Sequence, residues 1–264
     1  MDRVNELIKR VRLLRPIDDA MFKKLAESKT VCQEILRVIL DDKKLIVEEV
    51  ISEDSIANIF GRAVRLDALC TLGNGMLCNI EIQKENVNDD VRRVRYNASS
   101  IVSRFSEKGQ KFSEIPDVIV VYISEYDVFR LGRTIYHVNS VIMETNTTID
   151  DGLRRIFVNT QYADTDNTDV GELMKCFLQK EIDNDKFPEL SDRLSYFKND
   201  GKGVDSMCDI IKEYADERAA EMLVNNIETL AKKIGTVEEA CDMLNITEQQ
   251  YEDAKALLEK TLTV

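Results

Sequence analysis

The 264-residue chain predicts an α/β fold, a mixed sheet flanked by helices, followed by an all-helical C-terminal tail. Three observations carry that expectation. A Gly73-Asn74-Gly75 turn joins two runs of strand formers, 64–72 and 76–84, in a hairpin. PDVIVVYIS, ending at Ser124, is a short apolar run of the kind found in strands covered on both faces. From Met207 onward the apolar residues recur at helical spacing. The expected division is a domain over 1–204 and a helical appendage over 205–264.

The elements follow in order. Residues 16–27 and 30–40 read as helices, with Phe22, Leu25, Ile35, Leu36 and Ile39 at apolar positions, and LIVEEVIS at 45–52 reads as a strand before the hairpin. Asp89 and Asp90 open a helix whose acidic start suits its dipole and which Gly109 ends. Later strands are expected at 134–143 and 155–160. In the tail, Met207, Ile210, Ile211 and Tyr214, then Met222, Leu223, Ile227, Leu230 and Ile234, imply several helices. Thr236 starts another with a Thr-x-x-Glu capping box, and Thr247 starts the last. This final pair is similar to a small helix-turn-helix, but Glu248, Glu252 and Asp253 would repel phosphates. Contact with a protein partner or a second copy suits that surface better.

Asp67 and Glu81 lie at equal distances either side of Asn74. A two-residue Asn-Gly turn would set Asp67 opposite Ile82 and mix polar with apolar residues on both faces. A three-residue loop pairs Leu66 with Ile82, Ala68 with Ile80, Cys70 with Cys78 and Leu72 with Met76, a wholly apolar face. The other face then carries Arg65 opposite Gln83 and Asp67 opposite Glu81. Directly opposed carboxylates repel. Arg62 and Arg65 can offset that repulsion as an ordinary ion cluster. A divalent cation can do so as well, since Mg²⁺ takes oxygen ligands and is held by one or two carboxylates.

An Asp, then an acid, one intervening residue and a Lys or its substitute, on adjacent hairpin strands, resembles the signature of the PD-(D/E)XK nucleases. More narrowly, the chain is similar to the PD-(D/E)XK nuclease family transposases, a group allied to recombination-promoting nucleases. The similar stretches are LRPIDDAMFKKL, GRAVRLDALC, NIEIQKENVNDDVRRVRYNAS, PDVIVVYISEYDVF, TIYHVN, RIFVNTQY and RLSYFKND, in that order. The resemblance implies a restriction-endonuclease-like core and Mg²⁺- or Mn²⁺-dependent hydrolysis of DNA phosphodiesters. It matches Asp67 and Glu81 to the two motif acids, Gln83 to the position usually held by Lys, and Asp19 to an acid of the first helix. In the superfamily manner, the Ile82 carbonyl joins Asp67 and Glu81 as a third metal ligand. Gln83 cannot accept a proton as a neutral Lys can, so the general base is unassigned. Lys84 should face the other side of its strand.

Arg92, Arg95, Tyr96 and Ser99 share one face of the helix after the hairpin. That face suits phosphate contact, and equally an exposed basic stripe paired with nearby acids. Arg62 and Arg65 are further phosphate contacts. The formal net charge of −13 opposes DNA binding, but eight of those charges belong to residues 205–264. Arg3, Lys9, Arg10, Arg12 and Arg15 form a modest basic patch.

The exclusions are sharper. A single histidine, His137, rules out HNH nuclease, H-E-x-x-H protease and Cys/His zinc-finger chemistry. There is no G-x-S-x-G elbow and no G-x-x-x-x-G-K-[ST] loop. The six cysteines form no C-x-x-C pair, and no apolar run approaches the ~18 residues of a membrane span. A reduced, cytoplasmic protein is expected. The functional expectation is a metal-dependent DNA endonuclease of the transposase or recombination-promoting kind. Its alternative is a catalytically degenerate nuclease fold serving as a nucleic-acid or protein interaction module.

Overall fold

A computed structural model describes residues 2–56, 64–86 and 88–261. Three helices come first: α1 (Asp2–Leu13), α2 (Asp19–Ala26) and α3 (Lys29–Ile39). Strands β1 (Val47–Ile56), β2 (Val64–Leu72) and β3 (Leu77–Gln83) follow, then α4 (Asp90–Arg104) and β4 (Val118–Ser124). Next are β5 (Ile135–Val138), β6 (Ser140–Ile142), β7 (Thr147–Ile149) and β8 (Leu153–Asn159). The chain closes with α5 (Asp169–Leu178), α6 (Pro188–Asn199), α7 (Gly201–Ile234), α8 (Val237–Met243) and α9 (Glu248–Thr261). The sheet order is β1-β2-β3-β4-β8-β5. β1, β2 and β3 are antiparallel, β3, β4 and β8 parallel, and β5 antiparallel to β8. The expected mixed sheet flanked by helices, with a helical C-terminal region, is therefore observed.

The apolar alternation along the strands divides the core in two. Cys78, Ile80, Ile119, Val121, Ile123 and Val158 pack on the side of α2, α3, α5 and α6, against residues such as Phe22, Leu36 and Phe177. Leu77, Val118, Val120, Tyr122 and Phe157 pack on the other side with Val94, Ala98 and Ile101 of α4. β4 is buried at every position, as its unbroken apolar run requires.

The single strand expected over 134–143 is split. β5 edges the main sheet, whereas β6 pairs only with β7 in a separate ribbon. Burial shows why. Thr134 and the flanking Ile135 and Tyr136 still meet the core, while Val141, Ile142 and Met143 stand exposed. The tail is made of several helices as expected, and the first of them, α7, is unbroken over 34 residues and crosses position 205. Its N-cap Asp200 accepts from Lys202 and Gly203 N–H, and Gly235, at φ 128°, ends it. The Thr236 hydroxyl accepts from Glu239 N–H, and Thr247 accepts from Gln250 N–H, so both threonine-started helices form where expected.

Gly203 fixes how α7 leaves α6. A Cβ there would lie 2.2 Å from the Tyr196 carbonyl oxygen, a backbone atom that cannot swing aside. Gly203→Ala is expected to destabilise the fold by about 1–3 kcal/mol or more, read as a lower urea midpoint. An unchanged midpoint would show that the α6–α7 junction has slack.

Candidate active site

The loop of the β2–β3 hairpin has three residues, with Cys70 opposite Cys78 and Thr71 opposite Leu77. Leu72 N–H donates to the Met76 carbonyl, Gly75 takes φ 82°, and Asn74 Oδ1 accepts from Met76 N–H. Gly75 is needed here because the left-handed position of such a loop disfavours a Cβ. The register argued from the apolar face therefore holds near the turn. It does not extend to the far end.

Past Ala68 and Ile80 the β2–β3 ladder stops. β2 continues with β1 through Leu66 and Val64, while β3 continues with β4 to Gln83. Leu66 accordingly joins the core beside α4 instead of facing Ile82. The two strands fork, and the acids occupy the fork. Asp67 Oδ2 accepts from Ile82 N–H at 2.8 Å, and Glu81 Oε1 accepts from Asp67 N–H at 3.4 Å. Each carboxylate thus satisfies a backbone donor that the interrupted ladder would leave open.

Glu81 is 4% exposed, and Asn79 Nδ2 donates to its Oε1 at 2.8 Å. Burial raises its proton affinity to about 7, although Asn79, the Asp67 N–H, Arg93 and Asn97 all favour the charged form. Burial and then the neighbouring Glu81 charge push Asp67 well above the usual carboxylate range. A buried and a half-buried acid that resist ionising side by side are a donor set that a divalent cation relieves. Among the described residues, no group of three or more His, Cys, Asp or Glu gathers to hold a metal ion. The donor set is therefore the pair, and backbone or solvent oxygen would have to complete a shell.

The pair opens into a cleft of about 580 Å³. Asp67, Glu81, Ile82, Gln83, Asp19 and Arg65 all line it, so six of the sequence-selected positions meet in one place. Asp19 stays open to water at the wall, and enclosure by the protein followed by the Asp18 carboxylate raises its proton affinity. Gln83 is clamped: Arg93 donates to its Oε1 at 2.6 Å, and its Nε2 donates to the Glu85 carbonyl at 2.8 Å. Lys84 also lines the cleft. β3 has ended at Gln83, so strand alternation no longer hides Lys84, whose Nζ reaches Asp18 at 2.6 Å. Burial works against ionisation of Asp18, but Arg15 and Lys84 outweigh it and hold that carboxyl below its ordinary range.

Arg62 lies outside the described residues. Arg92, Arg95 and Tyr96 are exposed and are not among the residues lining the cleft. The reason is the setting of α4, which buries Asp90, Val94, Asn97, Ala98 and Ile101 and so turns Arg93 toward the acids. That buried row has helical spacing, but with Asp90 and Asn97 in it the sequence does not set it apart from the opposite stripe. Its first turn is held by Asp90, whose Oδ1 accepts from Tyr122 OH at 2.7 Å and Tyr126 OH at 2.5 Å.

The sequence matches the description PD-(D/E)XK nuclease family transposase over residues 16–260. The chain belongs to that family. Comparison with curated proteins and with solved structures finds no match. Family membership supports a nuclease or transposase-like function for the chain, and the matched range contains the fork of β2 and β3. Among the described residues, no helix is long and apolar enough to cross a membrane.

Proposed function

We propose that this chain is a Mg²⁺- or Mn²⁺-dependent endonuclease that hydrolyses DNA phosphodiester bonds, with Asp67 and Glu81 as its metal-holding acids. The observation that carries the reading is that these two acids, Glu81 buried and Asp67 half-buried, both with raised proton affinity, share one fork at the mouth of a polar cleft. The Ile82 carbonyl is the third protein ligand in this reading. When bound, the ion would lower the pKa of a coordinated water and neutralise charge on the phosphoryl oxygens. Arg65 binds a phosphate of the strand being cut. Gln83 orients the attacking water once its amide exchanges the Glu85 carbonyl for it. Asp19 supports the site from the α2 wall. A cytoplasmic setting belongs to the same reading.

Incubation with plasmid DNA and Mg²⁺ or Mn²⁺ tests this directly, with nicked or linear product expected and none in chelator. Cleavage that continues undiminished in Asp67→Ala and Glu81→Ala variants would remove the assignment. Arg93→Ala frees Gln83 and strips the positive charge nearest the acids, so it is expected to slow cleavage about 10–100-fold, with Arg93→Lys intermediate. Equal rates in all three proteins would leave Arg93 a purely structural residue.

Gln83 favours a second reading, a catalytically degenerate fold that binds without cutting, because an amide supplies no proton acceptor. Calorimetry separates the two. Mn²⁺ binding that depends on Asp67 and Glu81 but brings no cleavage of single-stranded, duplex or supercoiled DNA would establish the degenerate module.

A further inference from the structure

The cleft has a wall that the hairpin and α2 do not supply. Tyr214, Glu217, Arg218 and Glu221 of α7 line it. Glu217 Oε2 sits 3.1 Å from Arg65 Nη1, with only 17% and 29% of the two side chains exposed. At the rim, Arg218 lies 3.8 Å from Glu85. α7 is buried at Met207 and Ile210 before this stretch and at Ala220 and Ile227 after it, yet no residue between Ile210 and Ala220 is buried. Past Ile211, which still packs against the main core, the middle of the helix has polar contacts, including Lys23 over the Tyr214 ring at 5.4 Å. Its first turns are seated in the main apolar core, and its C-terminal part packs with α8 and α9 in a cluster of the tail itself.

We propose that α7 is a lid on the cleft, latched by Glu217, whose carboxylate occupies the Arg65 guanidinium where a nucleic-acid phosphate must bind. This rests on the nuclease reading given above. A carboxylate and a phosphate are alternative partners for one guanidinium fork, so entry of DNA exchanges one for the other. Glu221, on the same helix face one turn further, adds negative charge that an entering strand must also displace. The polar seating of the stretch makes its release cheap compared with unfolding either apolar end.

Two measurements on the full chain test the latch. Glu217→Gln is expected to bind a short fluorescein-labelled single-stranded DNA about two- to fivefold more tightly in chelator, the range for losing one partly exposed competing ion pair. That gain should vanish when Glu217→Gln is combined with Arg65→Ala. Hydrogen exchange of amides 211–219 should quicken in Glu217→Gln without DNA. Unchanged exchange, or, where wild type binds the DNA, variant binding equal to or weaker than wild type, overturns the latch. If exchange quickens while neither wild type nor variant binds or cuts any DNA, the lid stands and the nuclease reading falls.

Discussion

Asp67→Ala is expected to lower Mg²⁺-dependent DNA cleavage by about 10³-fold, because a metal that stabilises phosphoryl charge contributes several kcal/mol and one of its two carboxylates is gone. Glu81→Ala should do the same, and the double variant little more than either alone, since both acids serve one ion. The variants should remain folded. Asp67 accepts a single backbone N–H and Glu81 sits at a fork in the sheet, so neither is part of the apolar packing. Circular dichroism alongside the plasmid assay checks both halves of the expectation. Additive losses, each multiplying the other, would mean the two acids act on different steps.

The second large effect is on stability. Glu81 titrates at about 7 in the fold against an ordinary 4.5, so between those values the folded state binds the extra proton. Stability contributed by the protonated group is complete below pH 4.5 and is lost as pH rises through 7, by about 3 kcal/mol in the absence of metal. Asp67 is raised for the same reasons and adds loss of the same sign. Urea midpoints in chelator should therefore fall across this range, and Glu81→Gln should flatten the curve and raise stability at its alkaline end. Mn²⁺ should restore wild-type stability near neutral pH, by about 2.7 kcal/mol at a hundredfold excess over its Kd, and should leave Glu81→Gln little changed. A wild-type midpoint that does not move with pH would mean the pair is hydrated well enough to ionise freely.

Both effects come from residues that local pattern could find. Asp67, Glu81 and the three-residue loop follow from alternation about Asn74, because only one register keeps Ala68, Cys70, Cys78 and Ile80 on one apolar face. α4 and β4 were legible for similar reasons, an amphipathic period with an acidic start and an unbroken apolar run, although α4 ends at Arg104 and not at Gly109. Arg93 was not, since the stripe of Arg92, Arg95 and Tyr96 is equally regular and only the packing of Val94, Asn97 and Ile101 against the sheet sets the rotation of the helix. Nor was the split of 134–143, where two strands of the same composition pair with different partners.

Sequence by itself determined the hairpin register next to the turn, the closeness of Asp67 and Glu81, and the amide at Gln83, because each depends on residues within one turn or one strand pair. Tertiary structure decided the fork. Past Ala68 and Ile80 β2 stays paired with β1 and β3 with β4 while the pairing between β2 and β3 ends, and that parting lets Asp67 take the Ile82 N–H. It also brought Glu217 to Arg65 across 152 positions of chain. No local spacing encodes such a contact. It exists because the first turns of α7 pack into the main core through Met207 and Cys208 and so direct the helix past the site.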